Sequence, residues 1–190
     1  MSLLPLCEWL AGTAGSIALH ESLYAYPLVE SVHVWTLAVF LGFAAVLDLR
    51  LLGLALRQVP VTDVARQLGP WLVGGFAVML VSGALLFYAV PVRTYQSVWF
   101  RAKMAFLLLA GLNAWLFHSG VYRRVASWDL AAAIPRRARL AGAISLVLWA
   151  SVVLSGRFIA YNWLDCDRQP QPAVVNALAG CVVAPAPPAR

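Results

Sequence analysis

The chain has 190 residues, of which 62% are apolar and 12% charged, and a formal net charge of +6. Soluble domains run at about 45–50% apolar and about 25% charged residues, and a small fold leaves about a third of its unfolded surface exposed. A core cannot hide this surplus, and the mean hydropathy of +0.79 agrees. These numbers argue against a soluble enzyme, a disordered chain or a disulfide-stapled secreted domain, and for a membrane protein.

Taken in chain order, residues 3–20 place Leu6, Leu10, Ala14 and Ile17 at helical spacing with little charge. That pattern predicts a helix lying in the membrane interface. No basic n-region and no small-residue cleavage site precede Cys7, so no cleaved signal peptide is expected. About 20 predominantly apolar residues cross the hydrocarbon. The first span starts near Pro27, carries Glu30 and His33, and reaches Asp48 and Arg50 before the apolar run 51–56. The second, 70–90, is uncharged, with Pro70 expected in its first turn, where a missing N–H costs nothing. The third covers 104–122 and includes His118; the fourth covers 140–156, extended through 158–164 past Arg157. Between spans two and three, Tyr95 and Trp99 are expected as interfacial anchors. The tail from Asp165 ends in Pro-Ala-Pro-Pro, a composition that builds no core.

The expected fold class is therefore all-α: a transmembrane four-helix bundle over 22–164, an N-terminal interfacial helix over 1–21 and an irregular C-terminal tail over 165–190. Eight arginines flank the loops after spans one and three: Arg50, Arg57, Arg66, Arg123, Arg124, Arg136, Arg137 and Arg139. Five basic residues lie toward the opposite side: Arg93, Arg101, Lys103, Arg157 and Arg168. The excess places the arginine loops in the cytoplasm and both termini outside. Most of the +6 thus reads as a topology signal, and nucleic acid is not expected as a partner. The three cysteines have no metal-finger spacing. On an outside tail, Cys166 and Cys181 either pair across residues 173–178 or stay reduced.

The chain contains no HExxH, GxSxG, GxGxxG or Walker motif. Its chemistry must come from polar groups in or beside the apolar spans, which are costly there and point to function. Glu30 and His33 lie one turn apart on span one, with His33 about 9 Å below Pro27 at 1.5 Å per residue. Lys103 and Met104 open span three at the same level. Arg157 and Tyr161 are again one turn apart near the outer end of span four. With His20 at the rim, these residues converge on one layer, although each alone also serves as an ordinary interfacial anchor.

The layer's chemistry suits a haem b. Imidazole is a usual axial ligand, and a thioether or second imidazole can complete the iron. Lysine and arginine would neutralise propionates. Gly74, Gly75, Ser82 and Gly83 on span two either make room for a macrocycle or simply allow close helix packing. His33 is the expected metal ligand. His118 cannot share its iron, because it lies about 22 Å deep, roughly 13 Å below His33. Its partner would be His20, Met104, Lys103 or nothing, while His118 either serves a separate inner site or simply hydrogen-bonds at the cytoplasmic edge. No two histidines stand thirteen or fourteen apart on one helix, as in dihaem cytochromes b. Asp48 and Arg50 are expected to self-pair, to snorkel, or to clasp the arginine loops.

Four stretches carry a resemblance: Tyr26-Pro27-Leu28-Val29-Glu30-Ser31-Val32-His33, Asp48-Leu49-Arg50-Leu51-Leu52-Gly53, Phe100-Arg101-Ala102-Lys103-Met104 with Leu112-Asn113, and Ser155-Gly156-Arg157-Phe158-Ile159-Ala160-Tyr161. Over roughly residues 20–164 the chain resembles a family of uncharacterised four-helix bacterial inner-membrane proteins. A fainter similarity reaches membrane protoporphyrinogen oxidases that bind haem b, and copper-resistance D proteins. Those oxidases have a histidine early in a helix that ends in arginine, similar to His33 and Arg50. They also have a Trp-x-x-Lys, similar to Trp99 and Lys103 with one extra residue between. Their later histidine is unmatched, since Asn113 and Ala114 stand at its position. The similarity therefore implies a cofactor site around His33 rather than the oxidase reaction.

Two functions are carried forward. One is a small b-type haem protein of the bacterial inner membrane, passing electrons between a quinol or a partner enzyme and an outside acceptor. The other is a non-catalytic accessory or assembly subunit that docks lipids and a larger membrane protein. A transporter is disfavoured, because no midplane binding residues and no broken helix appear.

Overall fold

The computed structural model describes residues 2–129, 134–161 and 163–181. Among them every regular element is helical. Two short helices, α1 (Leu4–Ala11) and α2 (Ala14–Glu21), precede the first span, α3 (Ala25–Leu52). Then come α4 (Val61–Ala89), the short α5 (Pro91–Tyr95), α6 (Val98–Leu116), α7 (Arg136–Ile159) and the short α8 (Ala173–Ala179). The four long helices are apolar and long enough to cross a membrane, α6 running on through a π turn and a 3-10 turn to Ser127.

The long helices are arranged as a folded row. α4 packs on α3, α3 on α7, and α7 on α6, whereas α4 and α6 share no extended interface among the described residues. They meet at one end, where Phe87 stacks on Phe100 with 5.4 Å between ring centroids. The short helices gather at this end, called here the terminal end. The opposite end carries the arginine loops.

Several boundaries depart from the sequence reading, each for a local reason. The N-terminal segment is two helices, because the chain turns at Gly12 and Thr13, whose side chain accepts the Ser16 amide and caps α2. α4 begins nine residues before Pro70, which is internal. The extra turns are held by burial: Val61 packs with Leu51, Phe117, Trp128 and Ala138 at the arginine end. Asp129 caps the same helix, accepting from the Thr62 amide at 3.2 Å and from its hydroxyl. α7 stops at Ile159, short of the expected extension. The tail is also more ordered than its composition implies. α8 docks through Ala179, whose carbonyl accepts from Arg101 at 2.9 Å, and a Cys166–Cys181 disulfide ties its end down. The Pro-Ala-Pro-Pro stretch lies outside the described residues.

Two polar pins hold the terminal helices to the bundle. Ser16, buried on α2, donates to the Tyr88 carbonyl at 2.7 Å, and Thr13 shares a hydrogen bond with the Tyr88 hydroxyl at 2.7 Å. Tyr95 accepts the Leu3 amide at 3.2 Å. At the arginine end, Gly53 ends α3 in the left-handed region at φ 74°, where a side chain is disfavoured. Arg50 then reaches across the turn, its Nε donating to the Val59 carbonyl at 2.6 Å. The expected Asp48–Arg50 self-pair is not formed among the described residues; the clasp belongs to Arg50 alone.

Candidate functional site

His33 and Lys103 stand at the centre of the layer that the sequence marked out. One turn into α3 from Val29, the His33 imidazole crosses to α4 and lies 2.9 Å, Nδ1 to Oγ, from Ser82. Ser82 is buried, and its own hydroxyl donates to the Val78 carbonyl one turn back at 2.7 Å. A hydroxyl has a single proton to give. With that proton committed to Val78, Ser82 Oγ accepts from His33, so Nδ1 carries the hydrogen. In the neutral ring Nε2 is then a bare lone pair, and it has no hydrogen-bond partner among the described residues. Gly83 makes this approach possible: a Cβ built there would lie 3.3 Å from His33 Cε1.

Lys103 enters the same layer from α6. Its ammonium lies against Gly156 of α7, where a Cβ would be 3.6 Å from Nζ, and it is close enough to act electrostatically on the His33 ring. No carboxylate and no hydrogen-bond acceptor meets this ammonium among the described residues. One turn earlier on α6, the buried Trp99 Nε1 also has no partner, while its ring packs on Phe158 at 4.7 Å. α3 therefore contributes an imidazole whose Nδ1 is engaged, and α6 two donors without acceptors among the described residues. Gly83 is one turn from Phe87 and Lys103 nearly one turn from Phe100. The site thus begins just below the aromatic contact that bridges the otherwise separate α4 and α6.

The remaining expected residues are not drawn into this centre. Met104 is turned outward and is 43% exposed. Arg157 donates to the Tyr161 hydroxyl at 2.9 Å and lies over its ring at 5.0 Å, a self-contained exposed pair. Glu30 is exposed on the outer side of α3. His20 packs edge-on to Tyr26 at 6.4 Å, at the rim. His118 hydrogen-bonds through Nδ1 to the Ala114 carbonyl at 2.9 Å, at the arginine end, the simpler of its two expected roles. Ser82 was read from sequence only as a small residue, and Trp99 as an interfacial anchor and as the tryptophan of a Trp–Lys pair similar to that of the oxidases. Depth counting puts Ser82 near this level without showing which way it faces. It lies eight residues before Val90, about 12 Å down, against about 9 Å for His33. Among the described residues no group of three or more His, Cys, Asp or Glu side chains surrounds a metal position. Any metal here would rest on His33 as its single ligand of those types.

No curated protein and no solved structure matches the chain. One family profile does, and it spans residues 11–162, from the last residue of α1 to just past the end of α7. It covers all four spans, the His33–Ser82 contact and Lys103, so the chain belongs to the family of unknown function DUF6644.

Proposed function

We propose that this protein is a small membrane electron-transfer protein that holds a haem b at His33. The observation carrying this reading is the 2.9 Å contact of His33 Nδ1 with Ser82 Oγ, whose own proton goes to Val78: with Nδ1–H engaged there, Nε2 is left for a ligand. A histidine that ligates iron commonly donates its other ring N–H to a neighbouring acceptor. Haem needs no multi-residue metal cage; one imidazole suffices to anchor it. The unmatched donors Lys103 and Trp99 suit a ligand bearing carboxylates, and an unpaired ammonium within a membrane span is costly unless such a ligand is present. When bound, haem supplies one-electron chemistry at its iron. The protein's own part is to orient His33 through Ser82, to hold a propionate with Lys103, and to exclude water through the surrounding apolar helices. Met104, which is turned outward, and His20, which packs on Tyr26, would have no part in holding the group.

We further propose that the terminal end faces the periplasm of a bacterial inner membrane. The arginine excess at the opposite end supports this, as does a disulfide at the terminal end, since such bonds persist in oxidising compartments. Electrons would then pass between a quinol or a membrane partner and an acceptor on the periplasmic side. A reduced-minus-oxidised visible spectrum of the purified protein tests the reading. A colourless, folded chain recovered in a stoichiometric complex with another membrane protein would instead favour an accessory subunit.

A further inference from the structure

Proteins ligate haem iron with histidine, methionine, cysteine thiolate or tyrosine side chains. This sequence holds three histidines, three methionines and three cysteines. Met79 comes nearest to Ser82, one turn earlier on α4, yet it is buried against Phe40 and Ala44 of α3. Those two residues lie roughly 10 and 16 Å below His33 along the helix. Met104 is turned to the outside of α6, and His20 packs on Tyr26 at the rim. His118 bonds to Ala114 at the arginine end. Cys7 is buried on α1, outside the spans, and Cys166 and Cys181 are joined to each other. Met1 lies outside the described residues.

The tyrosines of the terminal end are engaged as well. The hydroxyls of Tyr88, Tyr95 and Tyr161 meet Thr13, the Leu3 amide and Arg157. Lys103 is the remaining polar neighbour, and an ammonium has three donors but no lone pair for a metal. Among the described residues, His33 is thus the one side chain of the layer with a lone pair to give to iron. A molecule completing the iron from outside must suit a membrane span, where charge is costly. It must also be small, because packed helices surround the layer. A neutral diatomic gas meets both conditions and needs no protein ligand opposite His33.

We propose that His33 is the sole axial ligand this chain gives to haem, and that the opposite side of the iron binds a neutral diatomic molecule of the carbon monoxide or dioxygen class. The inference rests on the haem reading and names a ligand class for that same site.

The test is the visible spectrum of the detergent-purified full-length protein, reduced under argon and then exposed to carbon monoxide. The wild type shifts its whole Soret band, and Met104→Leu and His20→Gln shift theirs identically. A folded His33→Ala loses the shift. Resonance Raman of the reduced wild type shows an iron–imidazole stretch, a signature of histidine-bound iron with its other side open. That band decides the matter if His33→Ala does not fold, and its absence overturns the inference. A haem band that carbon monoxide leaves unchanged overturns the inference and spares the haem reading. If Lys103→Met then restores the response, Lys103 is the second ligand. A response altered in Met104→Leu or His20→Gln makes that residue a ligand and overturns the inference too. A shift undiminished in His33→Ala reveals adventitious haem only, and it overturns both readings, as does a folded, colourless wild type.

Discussion

His33 and Ser82 meet across α3 and α4 at 2.9 Å, and the direction of that bond is set one turn away, where Ser82 gives its only proton to Val78. Serine on a helix commonly bonds back to the carbonyl four residues earlier. Here that local habit makes the oxygen a pure acceptor and so chooses the imidazole tautomer. Replacing Ser82 with alanine removes the acceptor while keeping the helix. Such outer partners of a ligating histidine are worth about 10–100-fold in metal affinity. Ser82→Ala should therefore keep a haem spectrum when haem is saturating but release it to apomyoglobin about tenfold faster or more.

Glycines report how tightly the helices approach. Gly142→Ala places a methyl group against backbone and a β-carbon, neither of which can swing aside, so we expect a loss of about 1–3 kcal/mol in stability. By contrast, Gly69 and Gly111 have nothing within 4 Å of a built Cβ. Alanine there should be neutral or stabilising by about 0.5–1 kcal/mol through helix propensity. Denaturation in mild detergent, read by far-UV circular dichroism, ranks the three variants.

Removing the cap should leave the bundle intact. The Cys166–Cys181 bridge closes a loop with sequence separation 15, for which chain-entropy arguments give about 3 kcal/mol. Cys166→Ser with Cys181→Ser should expose the segment around α8 to limited proteolysis while α3, α4, α6 and α7 stay protected. The same pair tests orientation. In spheroplasts, a membrane-impermeant maleimide should label these cysteines after reduction. Cys7 should stay unlabelled: it is 3% exposed, and burial, helped by Glu8, pushes its thiol above the ordinary range. Labelling only after the membrane is opened would place the terminal end inside.

Asp165 gives the terminal cap a pH dependence of known sign. Burial, then the neighbouring Asp167, pushes its carboxyl above the ordinary carboxylate range. An acid raised on folding stabilises fully below its unfolded pKa, and that stability is lost as pH rises through the folded pKa. Asp165→Asn should accordingly melt at or above the wild-type temperature at pH 7. The advantage should shrink as the pH falls through the carboxylate range, which thermal melts across that window will reveal.

The four spans were legible in the sequence because about 20 uncharged residues have few alternatives in lipid. Their ends were less so. Pro70 looks like a first-turn residue, yet Val61 and Val64 bury themselves and carry the helix back through Asp63 and Arg66. Tertiary burial overrode a local signal. Of the site, His33 and Lys103 were legible as misplaced polar groups, because lipid makes such groups expensive. The partition of the rest was not. Whether Arg157 turns to Tyr161 or inward, and whether Met104 faces lipid or iron, depends on helix rotation, and 1.5 Å of rise per residue fixes depth but not azimuth. Ser82 escaped for a related reason: a serine is cheap anywhere on a helix, and only the imidazole opposite gives it a role.

The reduced-minus-oxidised visible spectrum of protein purified from haem-replete cells tests the central claim most directly. A Soret and α-band difference signal in the wild type and in His118→Ala, lost in a folded His33→Ala, is the result expected from a haem held by His33. A wild-type protein that folds and is colourless, or a signal that survives His33→Ala unchanged, would contradict it.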